Sequence, residues 1–266
     1  MSLLKFIESF TDDKLYESGT SRRSSFSQFG NLGKGLAMAA VPFGLSALAN
    51  KANANIDPTP ATAAGALQLA LTLEYLEAEF YAQGVAAANL IPGADLAAIT
   101  SIRDHEADHV AFLTAAMNQN GVAIPAMPTF DFSGGLNLPT FTDYATFLAV
   151  AQAFEDTGVR AYKGQAGNLK GTPFLKPALQ IHSVEARHAS FIRRLRAKNG
   201  FAPDNKGWIT LNQRGAGIPA EFQVVYDGEQ STAYGAGQFT AEAQSEAYDE
   251  TINTQTAVNI ANVFIV

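Results

Sequence analysis

Two sets of glutamate and histidine residues occur in this chain in the same order and with nearly the same spacing. The first set is Glu74, Glu106 and His109, and the second is Glu155, Glu185 and His188. In each set a lone Glu precedes a Glu-x-x-His motif by about thirty residues. Carboxylates and imidazoles bind iron and manganese. The two sets together supply a complete ligand set for two metal ions.

The repeat extends beyond these residues. The lone glutamates are 81 residues apart and the Glu-x-x-His motifs are 79 residues apart. Tyr81 and Tyr162 each follow the lone Glu of their own set by seven residues. Such a repeat is typical of a duplicated helical hairpin, with a pseudo-two-fold axis between the copies.

Helical geometry makes these spacings suitable for metal binding. At about 100° and 1.5 Å per residue, a Glu and a His three positions later point about 60° apart and can reach one ion. A Tyr seven positions after a Glu lies only about 20° away around the helix and about 10.5 Å further along it. Tyr81 and Tyr162 are therefore expected to lie beside the site, as hydrogen-bond donors or as radical-quenching neighbours.

All six candidate ligands lie within apolar stripes. Glu74, for example, shares a helical face with Leu67, Leu71, Tyr81 and Val85, and the other three segments show the same pattern. Carboxylates and imidazoles buried in such a stripe are unfavourable unless they are paired or bound to metal. The alternative interpretation is a degenerate copy in which these groups hydrogen-bond one another.

A bundle in which two helices contribute one Glu each and two contribute Glu-x-x-His each resembles the ferritin-like di-iron and di-manganese proteins. The spacing of Glu74 and Tyr81 resembles that of rubrerythrin and bacterioferritin. The segment from Leu73 to Tyr81 resembles the bacterial ferritin-like branch that includes desiccation-related proteins. The matching motifs cover roughly residues 60–200, and the resemblance implies an all-α, ferritin-like four-helix bundle.

The resemblance also implies a role for each ligand. Glu106 and Glu185 would bridge two ions, whereas the lone glutamates and the two histidines would each bind one. Glu77 lies one turn after Glu74 and could replace it as the ligand. Because the position that matches Glu77 in the second copy is Gly158, we assign the ligand role to Glu74. Glu77 is then a neighbouring acid or a transient ion site.

The predicted organisation has three parts. They are a leader over residues 1–54, the bundle over residues 55–200, and an extension over residues 201–266 that packs on the bundle. The predicted helices are Thr62–Ala88, Leu96–Asn120, Thr142–Gly167 and Phe174–Asn199. The Pro- and Gly-rich segment from Gly121 to Phe141 is the long crossover between helices 2 and 3. In the extension we expect mostly loop with at most short strands, and a terminal helix or apolar strand from Thr254 to Ile265.

The leader resembles a twin-arginine export signal. Arg22 and Arg23 precede a mildly apolar run over residues 29–49, which ends near the small residues Ala52 and Ala54. Export with removal of residues 1 to about 54, to the periplasm or another extracytoplasmic location, is therefore expected. The alternative is an Arg pair at the start of an ordinary helix. If residues 1–54 are retained, they would serve as an arm or anchor, the one case in which we expect membrane association.

The composition limits the possible partners. A net charge of −7 argues against binding to nucleic acid or to an anionic membrane. The absence of Cys excludes iron-sulfur centres, so an electron donor must be a separate molecule. Assembly into a homo-oligomer is possible.

Three functions are compatible with these features. The first is a di-iron oxidase or peroxidase that acts on O2 or H2O2 and protects the cell envelope. The second is a di-manganese enzyme that resembles catalase. The third is a ferritin-like stress or structural protein whose metal site has no turnover. The predicted cofactor is two Fe ions, with two Mn ions as the alternative.

Overall fold

The computed structural model describes residues 55–231 and 237–266. Its four long helices are α1 (Ala63–Ala86), α2 (Gly93–Gln119), α3 (Tyr144–Gln165) and α4 (Leu175–Lys198). The predicted all-α bundle with a long crossover between α2 and α3 is confirmed, and each predicted helix end lies within three residues of the observed one. The predicted leader lies outside the described residues.

Local signals in the sequence explain where the helices begin. The Thr62 hydroxyl accepts a hydrogen bond from the Gly65 N–H at 3.1 Å, and the Asp143 carboxylate accepts one from the Thr146 N–H at 2.8 Å. Both bonds satisfy backbone donors that have no partner in the first helical turn. Helix α2 begins directly after Pro92, whose fixed φ suits a helix start.

The bundle consists of two helical hairpins joined by the crossover. Helix α1 packs along α2, and α3 packs along α4. The short connection between α3 and α4 includes a 3₁₀ helix, Ala166–Leu169. The crossover contributes Phe132, whose ring lies 5.5 Å from Phe80 of α1 and 6.3 Å from Phe154 of α3. These aromatic contacts fill one end of the bundle core.

The extension is mostly loop, as expected, with three short helical segments. They are a 3₁₀ helix, Ala220–Val225, and the helices α5 (Ala241–Ala247) and α6 (Thr254–Asn262). The described part of the extension contains no strand, and its only β-type pairing is an isolated antiparallel bridge between Phe130 and Ile265. Of the two structures expected from Thr254 to Ile265, a helix or an apolar strand, the helix is therefore correct as far as Asn262.

Buried charges attach the extension to α3. The Arg160 side chain donates to the carbonyls of Val225 and Asp227, and its Nε lies 2.6 Å from the Glu229 carboxylate. The Tyr226 hydroxyl donates to Asp156 of α3 at 2.9 Å. Helix α6 and the 3₁₀ helix of the extension both contact α3, and most residues of α3 are buried.

None of the described helices combines the length and the apolar character that a membrane span requires.

Candidate metal centre

The four long helices place the predicted ligands in the bundle interior. Helix α1 contributes Glu74, α2 contributes Glu106 and His109, α3 contributes Glu155, and α4 contributes Glu185 and His188. All four carboxylates are completely buried, and neither histidine is more than 9% exposed. The apolar stripes therefore do carry these polar groups into the core.

The six side chains form two overlapping groups. The first is Glu74, Glu106, His109 and Glu185, and the second is Glu106, Glu155, Glu185 and His188. Within each group, one potential ligand atom of every residue lies within 4.8 Å of the others. Glu106 and Glu185, one from each Glu-x-x-His motif, belong to both groups. This is the arrangement that two neighbouring ions with two shared carboxylates would require.

Around His109, Nδ1 is the atom that faces the carboxylates. It lies 3.1 Å from Glu74 Oε2, 3.1 Å from Glu106 Oε2 and 3.2 Å from Glu185 Oε1. His188 also presents Nδ1, at 2.8 Å from Glu106 Oε1 and 3.3 Å from Glu155 Oε2. Glu106 thus gives one oxygen to each histidine.

Five buried atoms in these groups have no aligned hydrogen bond, even though other polar atoms lie close to them. They are Glu106 Oε1, Glu155 Oε2, both oxygens of Glu185, and His188 Nδ1. Buried polar atoms are almost always satisfied in folded proteins. Adjacent ligands of an octahedral ion, each about 2.1 Å from it, are about 3 Å apart. The separations and the missing alignment both fit atoms directed at a common ion, so these residues suit a di-metal group.

The charges at the centre are unbalanced without cations. Burial raises the pKa of Glu185 well above its usual value, and the charge of Glu106 raises it further. Burial raises the pKa of Glu74 to about 7, although the nearby His109 opposes this shift. Burial lowers the pKa of His188, but the carboxylates of Glu155 and Glu106 outweigh it and raise the pKa to about 11. Divalent cations would relieve this excess of buried negative charge.

Tyr81 and Tyr162 lie beside the site and make equivalent contacts across the pseudo-two-fold axis. The Tyr81 hydroxyl on α1 donates to Glu155 on α3, and the Tyr162 hydroxyl on α3 donates to Glu74 on α1. Each tyrosine therefore holds the lone glutamate of the opposite hairpin. The paired bonds also show that α1 and α3 run antiparallel.

The two halves of the site differ at Glu77. This acid is 3% exposed, and the charges of Glu185, Glu106 and other nearby acids, together with burial, raise its pKa well above its usual value. The matching residue, Gly158, leaves room for it, because a Cβ there would lie 2.8 Å from Glu185 Oε2 and 3.4 Å from Glu77 Oε1. Glu77 is a fifth buried carboxylate at the centre, whereas the second hairpin supplies none at this position.

Sequence reasoning missed His105, an exposed residue of α2 that contacts the site. Its Nδ1 lies 2.9 Å from Nε2 of His188, and the two rings are within 7° of parallel. When the Nε2–H of His188 donates a hydrogen bond to Nδ1 of His105, Nδ1 of His188 is the ring nitrogen that faces the carboxylates. The sequence contains one signal for it: His105 departs from the repeat, because the matching residue in the second copy is Val184. The fourth histidine, His182, belongs to neither group.

Comparison with known proteins agrees with this architecture. A family model described as a ferritin-like domain matches residues 62–198, slightly more than half of the chain. The chain therefore belongs to the ferritin-like domain family. No curated protein matches the chain.

The metal-free protein is expected to lose stability as the pH rises from about 4.5 to 7. Folding raises the pKa of Glu74 from 4.5 to about 7. Its contribution to stability is therefore complete below pH 4.5 and is lost as the pH rises through 7, up to about 3 kcal/mol. Urea unfolding with a chelator present at pH 5 and pH 7 measures this loss. Glu74→Gln should reduce it, whereas Glu221→Gln at an exposed position should not; an unchanged loss in Glu74→Gln would contradict the assignment.

Proposed function

We propose that this protein is a di-iron carboxylate protein that reacts with O2 or H2O2, an oxidase or peroxidase type of stress protein. The observation that carries the proposal is the pair of overlapping groups that share Glu106 and Glu185 and contain the five buried atoms without aligned partners. Hydrogen bonding within a degenerate site would align these atoms with one another. Membership of the ferritin-like family supports the same conclusion.

Each side chain has a defined part in this proposal. Glu74 and His109 would hold one ion, Glu155 and His188 would hold the other, and Glu106 and Glu185, which belong to both groups, would be shared. Carboxylates with few imidazoles suit iron or manganese better than softer metals. When bound, the pair of ions supplies electrons for the reduction of an oxidant.

The surrounding side chains control the environment of the centre. The hydrogen bonds from Tyr81 and Tyr162 fix the orientations of Glu155 and Glu74. The same two phenols are oxidisable groups in direct contact with the proposed ligands. Both tyrosines are buried, so the centre is shielded from bulk water along the helices that carry them.

Metal loading followed by turnover measurements tests the proposal. The protein should bind two Fe(II) per chain and consume O2 or H2O2, and His188→Ala should lose iron and turnover together. Turnover only with Mn and H2O2 would favour the catalase-like alternative. Two bound metal ions without turnover would indicate the non-catalytic alternative with a structural metal site. No bound metal would contradict both enzymes and would leave only a non-catalytic protein with a vestigial site.

The tyrosines generate a separate prediction. The double variant Tyr81→Phe and Tyr162→Phe should keep its iron, because all six ligands remain, but its turnover should change by roughly 10–100-fold. Iron analysis and oxidant consumption measure the two quantities. Tyr75→Phe, on α1 but outside the site, is the matched control. Loss of folding in the double variant would mean that the tyrosines are core packing residues instead.

We also propose that the protein acts in the cell envelope. The support is the Arg22–Arg23 pair with its apolar run and small residues, all of which lie outside the described residues. Replacing both arginines by Lys should retain the protein in the cytoplasm, because a receptor that reads the guanidinium pair does not accept an equal charge on Lys. Cell fractionation and mass spectrometry of native material measure location and cleavage. An intact segment from Met1 to Ala54 in exported protein would contradict cleavage.

A further inference from the structure

An apolar cavity of about 20 Å³ lies between the four helices at the end of the bundle that contains Tyr162. Its wall includes Ala66 and Leu73 of α1, Leu113 of α2, Ala161 of α3 and Ala178 of α4. Space of this size is enough for one small guest. The partly buried side chains of Phe112, Phe174 and Pro177 also line it, and they connect it with the surface.

The duplication shows why this end has a cavity. Ala66, Ala161 and Ala178 match Phe147, Phe80 and Ile99 in the other copy, and all three larger residues are completely buried. At the Tyr81 end, the rings of Phe80 and Phe147 are stacked with centroids 4.8 Å apart. Three small residues thus occupy, at the Tyr162 end, the positions that large side chains fill at the other end.

The wall offers few polar partners to a water molecule. The Tyr162 hydroxyl already donates to Glu74. The Gln165 amide already donates to Thr254 at 3.0 Å, and its oxygen accepts from Asn168 at 2.8 Å. A buried water molecule requires two to four polar partners, and small apolar cavities without them bind apolar guests such as xenon. The cavity therefore favours an apolar guest over water or peroxide.

The cavity adjoins the candidate metal centre. Tyr162 is part of its wall and touches Glu74 directly. Leu73 precedes Glu74 in the chain, and Leu113 lies one helical turn after His109. A guest in the cavity would be separated by little more than these side chains from the Glu74 and His109 side of the centre.

We propose that this cavity binds a small apolar gas molecule and that its guest is O2 on the way to the Glu74 and His109 side of the centre. The assignment of O2 rests on the proposed function, whereas the binding of an apolar gas does not. H2O2 would lose its hydrogen bonds in this cavity, so it is expected to reach the centre by another route. The cavity thereby selects O2 as the oxidant that enters at this end.

Xenon tests the cavity without any metal. Crystals of the full chain under xenon pressure should show an anomalous xenon peak among Ala66, Ala161 and Ala178. The variants Ala178→Ile and Ala161→Leu should abolish the peak, because each replaces a small wall residue with a large apolar one, as at the matching positions of the other copy. Ala107→Leu, an enlargement at an exposed position of α2, should retain it. Thermal unfolding confirms that each variant is folded.

The rate of oxidation of bound Fe(II) tests whether the natural guest is O2. In the filled variants, oxidation by O2 should slow about tenfold or more, whereas oxidation by H2O2 and the iron content should stay close to those of the unaltered protein. The absence of a xenon peak in the unaltered protein would overturn the proposal. An unchanged O2 rate, or equal slowing with both oxidants, would overturn the assignment of O2. A protein that binds xenon but no iron would contradict the proposed function and leave the gas site intact.

Discussion

Five carboxylates are buried among the four long helices, and the residues around them have to offset their charge. Charged groups in a protein interior require paired charges or bound cations, and the two imidazoles at the centre are fewer than the acids around them. The tyrosines, the shared position of Glu106 and the space at Gly158 all serve to place these acids around a common volume. An apolar core with the same helices would need none of these features.

Duplication explains the symmetric part of the centre, and departures from it explain how the two sides differ. The candidate ligands and the paired tyrosine bonds obey the pseudo-two-fold relation. Glu77, His105 and the small wall residues of the cavity do not. The Glu74 and His109 side of the centre therefore adjoins an apolar cavity, whereas His188 on the other side contacts the exposed residue His105. The physical properties of two bound ions would differ for this reason even though their direct ligands match.

Much of the fold and the positions of the candidate ligands could be predicted, because helical periodicity relates residue spacing directly to a common face. Glu74, Glu106 and His109 could be placed together for this reason. The tyrosines were expected beside the site, but the bond from each to the opposite hairpin depends on how α1 and α3 pack, which spacing within one helix does not specify. His105 could not be placed at the site because its contact with His188 depends on how α2 and α4 pack, which spacing within one helix does not specify. The extension was difficult to predict because buried pairs such as Arg160 and Glu229 join residues far apart in the chain.

We propose that two ions bind between the Glu-x-x-His motifs and share Glu106 and Glu185. Anomalous diffraction from crystals of the iron-loaded protein, measured at the iron absorption edge, tests it most directly. We expect two peaks, one beside Nδ1 of His109 and one beside Nδ1 of His188, with both shared carboxylates in contact with each. A single peak, or iron bound away from these six side chains, would contradict it.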